Sequence, residues 1–191
     1  DGKPALTNID SEGGISGIRY HRNTFLAGVF LGSDPPTTNA PGILDFSYNA
    51  DFLSLDPQLQ QTFFIGDGRT ATGEGYLQKF FVPSGATRLF LGLADGYDPS
   101  TQTISGPPDY YGDNGGGFSA ICSFVANDPP IAVDGRSNLF GAGLESPPGI
   151  APGIAPRSVA IPPNTSFIEF SSVTGAVSFD TDVPGTRPYF G

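Results

Sequence analysis

The sequence predicts a folded all-β protein, an antiparallel β-sandwich or jelly roll. Short apolar runs alternate with turn residues along the whole chain of 191 residues, which contains 27 Gly and 19 Pro. Strands at such short intervals, punctuated by Gly and Pro, are typical of sandwiches and jelly rolls. The 16 Phe and 7 Tyr supply enough apolar surface for a core. No stretch has a convincing amphipathic helical period.

Residues 1–127 are predicted to form the main body of the sandwich. Its strands are predicted at residues 15–18, 25–31, 44–47, 62–66, 75–82, 87–94 and 118–126. The run TFLAGVFLG lacks a helical period and favours a strand buried on both faces. The segment from His21 to Asn23 is predicted as a turn. A single helical turn is expected only within residues 51–61, where Pro57 limits its length.

Residues 128–191 are predicted to be a Pro- and Gly-rich segment with about three strands, at 158–161, 166–171 and 175–179. The low-complexity stretch SPPGIAPGIAP, residues 146–156, is expected to be extended and polyproline-like rather than packed. Three strands are too few for an independent core, so the segment must pack on another unit. That unit is either its own chain or a neighbouring copy.

The charge balance excludes some partners. The net charge of −10 argues against nucleic acid, which requires clustered Lys and Arg, and against docking on anionic membranes. No run reaches the roughly 18 apolar residues of a membrane-spanning helix. The chain has no Met, so we expect it to be a processed or excised piece of a longer product. An acidic, Lys-poor surface is more typical of a secreted or cell-surface protein.

The loop after the predicted strand 87–94 is dense in oxygen donors. It contains Asp95, Asp98, Asp109, Asp113 and Asn114 and no basic residue. Carboxylates held close together repel one another unless a cation lies among them, and Ca²⁺ takes about 6–8 oxygen ligands of these types. The same residue types also build ordinary solvent-exposed turns. Both interpretations are open on composition alone.

A resemblance to a known pattern bears on this choice. The segment PSGATRLFLG, followed by Ala94-Asp95, then YGDN at 111–114 and GFS at 117–119, resembles secreted bacterial PEP-CTERM-type surface proteins. Their jelly-roll domain is similar to the calcium-dependent LecA-type galactophilic lectins, which implies a galactose-binding-like sandwich. The loop is about ten residues longer here than in the lectins, and the sugar-holding His and Gln have no convincing match.

The resemblance implies a set of calcium ligands. Asp95 would bind through its carboxylate, Tyr110 through its backbone carbonyl, and Asp113 and Asn114 through their side chains. A further backbone carbonyl would come from the end of the earlier strand, in the range from Gly32 to Asp34. Asp98 and Asp109 are additional acids of the loop. Because the sugar-binding groups are unmatched, the resemblance implies calcium more strongly than carbohydrate.

The order of the matching segments is rotated. In the proteins that this chain resembles, a segment like VDGRSNLFGAG (133–143) opens the domain and GISGI comes later, whereas here GISGI stands at 14–18. In one interpretation, the C-terminal third completes the next copy in a filament or tandem array, because open-ended head-to-tail contacts build fibres. In the other, the third folds back and completes its own domain. We expect the filament.

The sequence gives little support for a catalytic site or a zinc site. His21 is the one histidine, no nucleophile elbow is present, and one His with one Cys cannot make a structural zinc site. Cys122 lies in a strand-like run and is predicted to be a small buried hydrophobe. Asn164-Thr165-Ser166 fits the N-glycosylation sequon, a hint of a surface loop. We therefore expect a non-enzymatic calcium-binding module that assembles with copies of itself, the alternative being a calcium-dependent carbohydrate-binding module.

Overall fold

The protein is an all-β structure. The computed structural model describes residues 3–36, 39–71, 74–96, 105–124, 130–178 and 189–190. Within these ranges the regular elements are β-strands and two short 3-10 turns, so the predicted all-β class is confirmed. None of the described residues belongs to a helix long and apolar enough to span a membrane.

The strands form four sheets of three or four members each. In chain order they are β1 (Lys3–Ile9), β2 (Ile18–Asn23), β3 (Leu26–Leu31), β4 (Leu44–Asp45), β5 (Ser54–Leu55), β6 (Thr62–Phe64), β7 (Lys79–Phe81), β8 (Arg88–Leu93), β9 (Ser105–Gly106), β10 (Gly115–Cys122), β11 (Ile131–Asp134), β12 (Arg157–Ala160), β13 (Phe167–Ile168), β14 (Phe170–Ser178) and β15 (Tyr189–Phe190). The 3-10 turns are η1 (Tyr111–Asp113) and η2 (Leu139–Gly141). Most pairings are antiparallel, and three short ones, β1–β9, β2–β4 and β5–β7, are parallel.

The sheet that positions the candidate site has the strand order β12-β8-β3-β6. All six residues of β3 are buried, as the non-alternating apolar run predicted. β3 and β8 are antiparallel, with Leu26 opposite Leu93 and Leu31 opposite Arg88. The C-terminal end of β8 and the C-terminal end of β3 therefore lie at opposite ends of this sheet.

One glycine in β3 is required by close packing. A Cβ at Gly28 would lie 2.7 Å from the ring of Phe63, which is fully buried. That ring stacks on Phe30, with centroids 5.1 Å apart. Without a side chain at position 28, the phenyl ring packs directly on the strand backbone.

The C-terminal third packs on the body of the same chain. β12 pairs with β8, β13 with β7, and β10 lies between β11 and β14. The apolar side chains of both parts belong to one hydrophobic core. Its largest fully buried members are aromatic, and burial of each stabilises the fold by roughly 1.5–3 kcal/mol. They are Tyr111, Phe25, Phe30, Phe63, Phe80, Phe140 and Phe170.

Two local predictions were wrong. The predicted turn from His21 to Asn23 lies within β2, which pairs with β1. The range 51–61 contains no helical turn, because Ser54–Leu55 forms β5 alongside β7. In both places a partner strand supplies backbone hydrogen bonds that local sequence does not reveal.

The Pro-rich stretch 146–156 also differs from expectation, because it is packed and hydrogen-bonded. The fully buried Asn138 donates its amide hydrogens to the carbonyls of Pro148, at 3.0 Å, and Pro152, at 3.1 Å. Gly149 and Gly153 have positive φ values of 111° and 67°. The stretch is therefore a fixed surface loop, and the buried Asn138 amide is one of the groups that hold it.

Candidate metal centre

Asp95 follows strand β8 and lies in the interior of the protein. Two residues after β8 ends, Asp95 is only 1 % exposed. Its Oδ1 accepts a hydrogen bond from the N–H of Gly96 at 2.7 Å, and its Oδ2 accepts one from the Asn114 amide at 2.8 Å. Two neutral donors therefore hold the two oxygens of a buried carboxylate.

The approach of β8 to the segment before η2 depends on Gly92. A Cβ at this position would lie 2.7 Å from the carbonyl oxygen of Ser137. That same carbonyl accepts a hydrogen bond from the N–H of Leu93 at 2.8 Å. The absence of a side chain therefore lets the end of β8, and Asp95 after it, lie directly against the C-terminal third.

The second part of the site is the turn that leads into β10. Tyr110 has a left-handed backbone with φ 65° and ψ 17°, an uncommon conformation for a residue with a Cβ. The 3-10 turn η1 follows, and the N–H of Asn114 donates to the carbonyl of Tyr111 at 3.3 Å. The sharp reversal places Asn114 beside Asp95, and Asp113 directly precedes Asn114 in the chain.

The Asn114 side chain is the most informative group in this turn. Asn114 is 2 % exposed, and its Oδ1 is buried and accepts no hydrogen bond from the described residues. The Oδ1 of Asp113 is likewise removed from solvent. A buried oxygen without a donor costs about 1–3 kcal/mol, so this arrangement favours the binding of a group that the oxygen can coordinate.

Tyr111 joins the two parts of the site. It is fully buried, accepts a hydrogen bond from the N–H of Asp95 at 2.9 Å and donates its hydroxyl to the carbonyl of Leu93 at 3.1 Å. Burial first, and then the negative charge of Asp95, raise the pKa of Tyr111 well above its usual value of 10.0. The phenol is therefore neutral at ordinary pH. Its role was missed in the sequence, where a Tyr in a polar loop gives no signal of burial.

Asp109 fastens the loop to the Pro-rich stretch. Its Oδ1 accepts hydrogen bonds from the N–H of Tyr110 at 2.8 Å and of Ala151 at 2.7 Å. The N–H of Gly112 donates to the carbonyl of Ala151 at 3.3 Å. This carboxylate oxygen holds two backbone segments together, and the Pro-rich loop thereby supports the turn of Asp113 and Asn114.

The remaining expected ligands do not join this cluster. Gly32 and Asp34 follow β3, at the Arg88 end of the sheet. The six residues of β8 separate this end from Asp95, which corresponds to a distance of about 20 Å. Their carbonyls accept hydrogen bonds from the Arg88 guanidinium at 2.8 Å and 2.9 Å. The expected ligand set thus divides between two ends of the sheet, because β3 and β8 are antiparallel. Asp98 lies outside the described residues.

The expected side-chain ligands at the end of β8 and in the turn before β10 include two acids, Asp95 and Asp113, rather than three. Accordingly, no group of three or more His, Cys, Asp or Glu residues in metal-binding proximity occurs within the described ranges. The other candidate donors are the Asn114 amide oxygen and the carbonyl of Tyr110, which are ligand types that Ca²⁺ accepts. The set fits a hard cation with oxygen ligands.

An open polar cavity of about 300 Å³ borders the cluster. It is lined by Gly112, Asn114, Gly115, Gly116, Asp134 and Arg136. Asp134 and Arg136 form an ion pair with N–O distances of 3.0 Å and 3.1 Å. The hydrogen bond from Arg136 is the main reason that the pKa of Asp134 is lowered. This cavity therefore presents both a fixed anion and a fixed cation beside Asn114.

Two other residues singled out in the sequence lie elsewhere. His21 is an exposed residue of β2, not of a turn. Cys122 is fully buried at the end of β10, as predicted, and burial raises its pKa to about 11. The thiol is therefore protonated at neutral pH, and the neutral group packs as an apolar side chain.

The fold and the cluster together define an all-β protein of β-sandwich character with buried oxygen donors at one sheet end. Comparison of the chain with protein-family models, with curated proteins and with solved structures finds no match. The function is therefore inferred from the site itself.

Proposed function

We propose that the chain is a secreted, calcium-binding β-sandwich module of the jelly-roll, galactose-binding-like type, serving as a structural unit of an extracellular filament or surface array. Its role is to bind and to assemble rather than to catalyse. The observation that carries the calcium proposal is the buried Oδ1 of Asn114, which accepts no hydrogen bond from the described residues and lies beside the buried carboxylate of Asp95.

The proposed ligands are the side chains of Asp95, Asp113 and Asn114 and the backbone carbonyl of Tyr110. Gly32 and Asp34 are left out, because their carbonyls bind Arg88 at the other end of the sheet. Calcium suits these donors because it tolerates irregular geometry and completes its shell of about 6–8 oxygens with water. A bound cation would neutralise the acids and fix the turn from Tyr110 to Asn114 against β8.

The assembly proposal rests on the way in which the C-terminal segment is built in. Residues 130–178 supply β11, β12, β13 and β14, which pair with strands of the main body. The same pairings made with the body of the next copy would generate an open chain of subunits, because each copy would donate one segment and accept another. The strand pairs and core contacts between copies would then be the same as those that the structure has within one chain.

A second candidate function, calcium-dependent carbohydrate binding, is favoured by the cavity of about 300 Å³ beside Asn114. Sugar hydroxyls are suited to bind a metal ion together with a carboxylate and a guanidinium, and the cavity offers Asp134 and Arg136. The proposed sugar would occupy open coordination positions of the cation.

Calcium binding is tested by following the thermal unfolding of the purified protein in excess chelator and in increasing calcium. We expect the melting temperature to rise with calcium, by an amount equivalent to about 2.7 kcal/mol at 100 times the Kd. Magnesium at the same concentration is the matched control and should stabilise less. An identical melting temperature in chelator and in calcium would refute the metal proposal.

Assembly and sugar binding are then separated by two measurements on the calcium-loaded protein. Electron microscopy and sedimentation should show filaments or long oligomers if the module is a structural unit. Dispersed monomers retained on a galactose column would favour the carbohydrate-binding candidate instead. Monomers without affinity for galactose would contradict both, while leaving the calcium measurement to stand independently.

A further inference from the structure

The sequon Asn164-Thr165-Ser166 lies at the tip of an exposed turn between β12 and β13. Asn164 has φ 64°, and the N–H of Thr165 donates to the carbonyl of Pro162 at 3.3 Å. A Pro at the second position and a positive φ at the third are the signature of a type II turn, in which Asn is well tolerated. The turn conformation therefore follows from Pro163 and Asn164 themselves.

The side chains of the sequon are presented to solvent. Asn164 and Ser166 are both exposed, and the Asn164 amide makes no hydrogen bond to the described residues. The Thr165 hydroxyl, in contrast, donates to the carbonyl of Pro162 at 2.7 Å and stabilises the turn. The acceptor nitrogen is thus accessible while the backbone on either side is bonded.

Two backbone hydrogen bonds anchor the legs of the turn. The N–H of Ile161 donates to the carbonyl of Thr87 at 2.9 Å, and the N–H of Val82 donates to the carbonyl of Ser166 at 3.0 Å. A cavity of about 490 Å³ lies between the anchored turn and the facing segment 82–87. Asn164, Thr165 and Pro163 are among its lining residues, so space for a substituent adjoins the acceptor.

The position is remote from the candidate metal centre. Thr87 immediately precedes β8, whereas Asp95 follows its other end, about 20 Å away along the strand. A bulky substituent on Asn164 would therefore leave the turn of Asp113 and Asn114 unobstructed. A substituent on Asn164 and a cation at Asp95 would therefore be independent of each other.

We propose that Asn164 is an N-glycan acceptor in the folded protein. The donor is of the polyprenyl-diphosphate oligosaccharide class. The Asn164 side-chain nitrogen forms a bond to the anomeric carbon, while the bond from that carbon to the diphosphate oxygen breaks. The polyprenyl diphosphate leaves and takes up the proton that the amide nitrogen loses. The product carries one glycan at the turn tip, on the side of the cavity lined by residues 82–87.

The test incubates the folded chain with a purified single-subunit oligosaccharyltransferase and such a donor, and reads the product by intact mass. We expect a mass increase of one glycan, an unchanged melting temperature, and the same addition to the urea-unfolded chain. Asn164→Gly, which keeps the positive φ, and Ser166→Ala, which leaves Asn164 in place, should both abolish the addition. Ser166→Thr should retain it.

Four results would overturn the proposal. Addition to the unfolded chain alone would mean that the fold hides the acceptor. No addition to either form would mean that the sequon is not recognised, and addition to Asn164→Gly would place the glycan at another residue. A fall in the melting temperature on glycosylation would show that the turn and its cavity cannot accommodate the glycan.

Discussion

The two ends of β8 differ in the groups that surround their clustered oxygen atoms. At the Arg88 end, backbone carbonyls of Gly32 and Asp34 are gathered by a guanidinium that belongs to the chain. At the Asp95 end, the carboxylate is held by neutral donors, and a buried amide oxygen of Asn114 beside it accepts no hydrogen bond from the described residues. One end carries its own cation, and we propose that the other obtains one from solution. The contrast shows that a cluster of oxygens becomes a candidate metal site through the donors around it, not through its composition.

The largest expected effect is on calcium binding at the Asp95 end. Asp95→Asn removes the charged ligand but keeps the shape and the capacity to hydrogen-bond Asn114. We expect the calcium-dependent stabilisation, about 2.7 kcal/mol at 100 times the Kd, to disappear. Thermal unfolding with and without calcium measures this. Asp34→Asn is the matched control, since it removes the same charge at the Arg88 end, and it should leave the calcium response intact.

Tyr111→Phe is expected to destabilise the protein by about 1–3 kcal/mol at neutral pH. The substitution deletes the hydroxyl that bonds the Asp95 N–H and the Leu93 carbonyl, leaving both unsatisfied in a buried position. Urea unfolding at pH 7 measures the loss. A change below about 0.5 kcal/mol would mean that the phenol does not lock the site to β8.

The raised pKa of Tyr111 predicts a loss of stability in alkali. Because the folded pKa lies above the unfolded value of 10.0, this contribution is complete below about pH 10 and falls as the pH rises further. Cys122, with a pKa raised to about 11, adds a loss that begins near pH 9. Unfolding free energies from pH 8 to 11 should therefore be compared in Cys122→Ala with and without Tyr111→Phe. The double variant should show the shallower decline, and equal slopes would contradict the assignment.

The smallest effect is expected at the Arg88 end. Arg88→Ala removes two hydrogen bonds to carbonyls and the contact with the Phe90 ring, whose centroid lies 5.3 Å from the guanidinium carbon. Because the side chain is partly exposed and water can replace it, we expect a loss of about 1 kcal/mol. The calcium response should be unchanged in the same melts. A reduced calcium response would mean that the two ends are coupled.

Local sequence predicted the strands that are buried on both faces. β3 and β8 are continuous apolar runs, and such runs have few other stable conformations. Prediction failed where a polar segment is a strand only because a partner is available. Arg22 in β2 pairs with Pro4 in β1, and Ser54 in β5 pairs with Lys79. Their β conformation comes from backbone hydrogen bonds made across long sequence separations.

The candidate site was predictable only in part, because residue types and local motifs are visible in the sequence and contacts between distant segments are not. Asp95, Asp113 and Asn114 could be named from their residue types and from the resemblance of their motif, and the structure joins Asn114 to Asp95 by a hydrogen bond. The grouping with Gly32 failed because the direction of β3 relative to β8 decides which loops meet. The bracing of Asp109 by Ala151 was also hidden, since a Pro-rich stretch gives no sign of the partner on which it packs.

By itself, the sequence determined the class of this protein, its acidic character and the chemical type of its donors, because these depend on which residues are present and on their local spacing. The tertiary structure alone decided which oxygens share a site and which are neutralised by Arg88. It also decided that the Pro-rich stretch packs against the candidate centre. The physical reason is that burial, strand direction and hydrogen-bond partners are set by contacts between distant parts of the chain, and these contacts determine whether a carboxylate is solvated, paired or available to a cation.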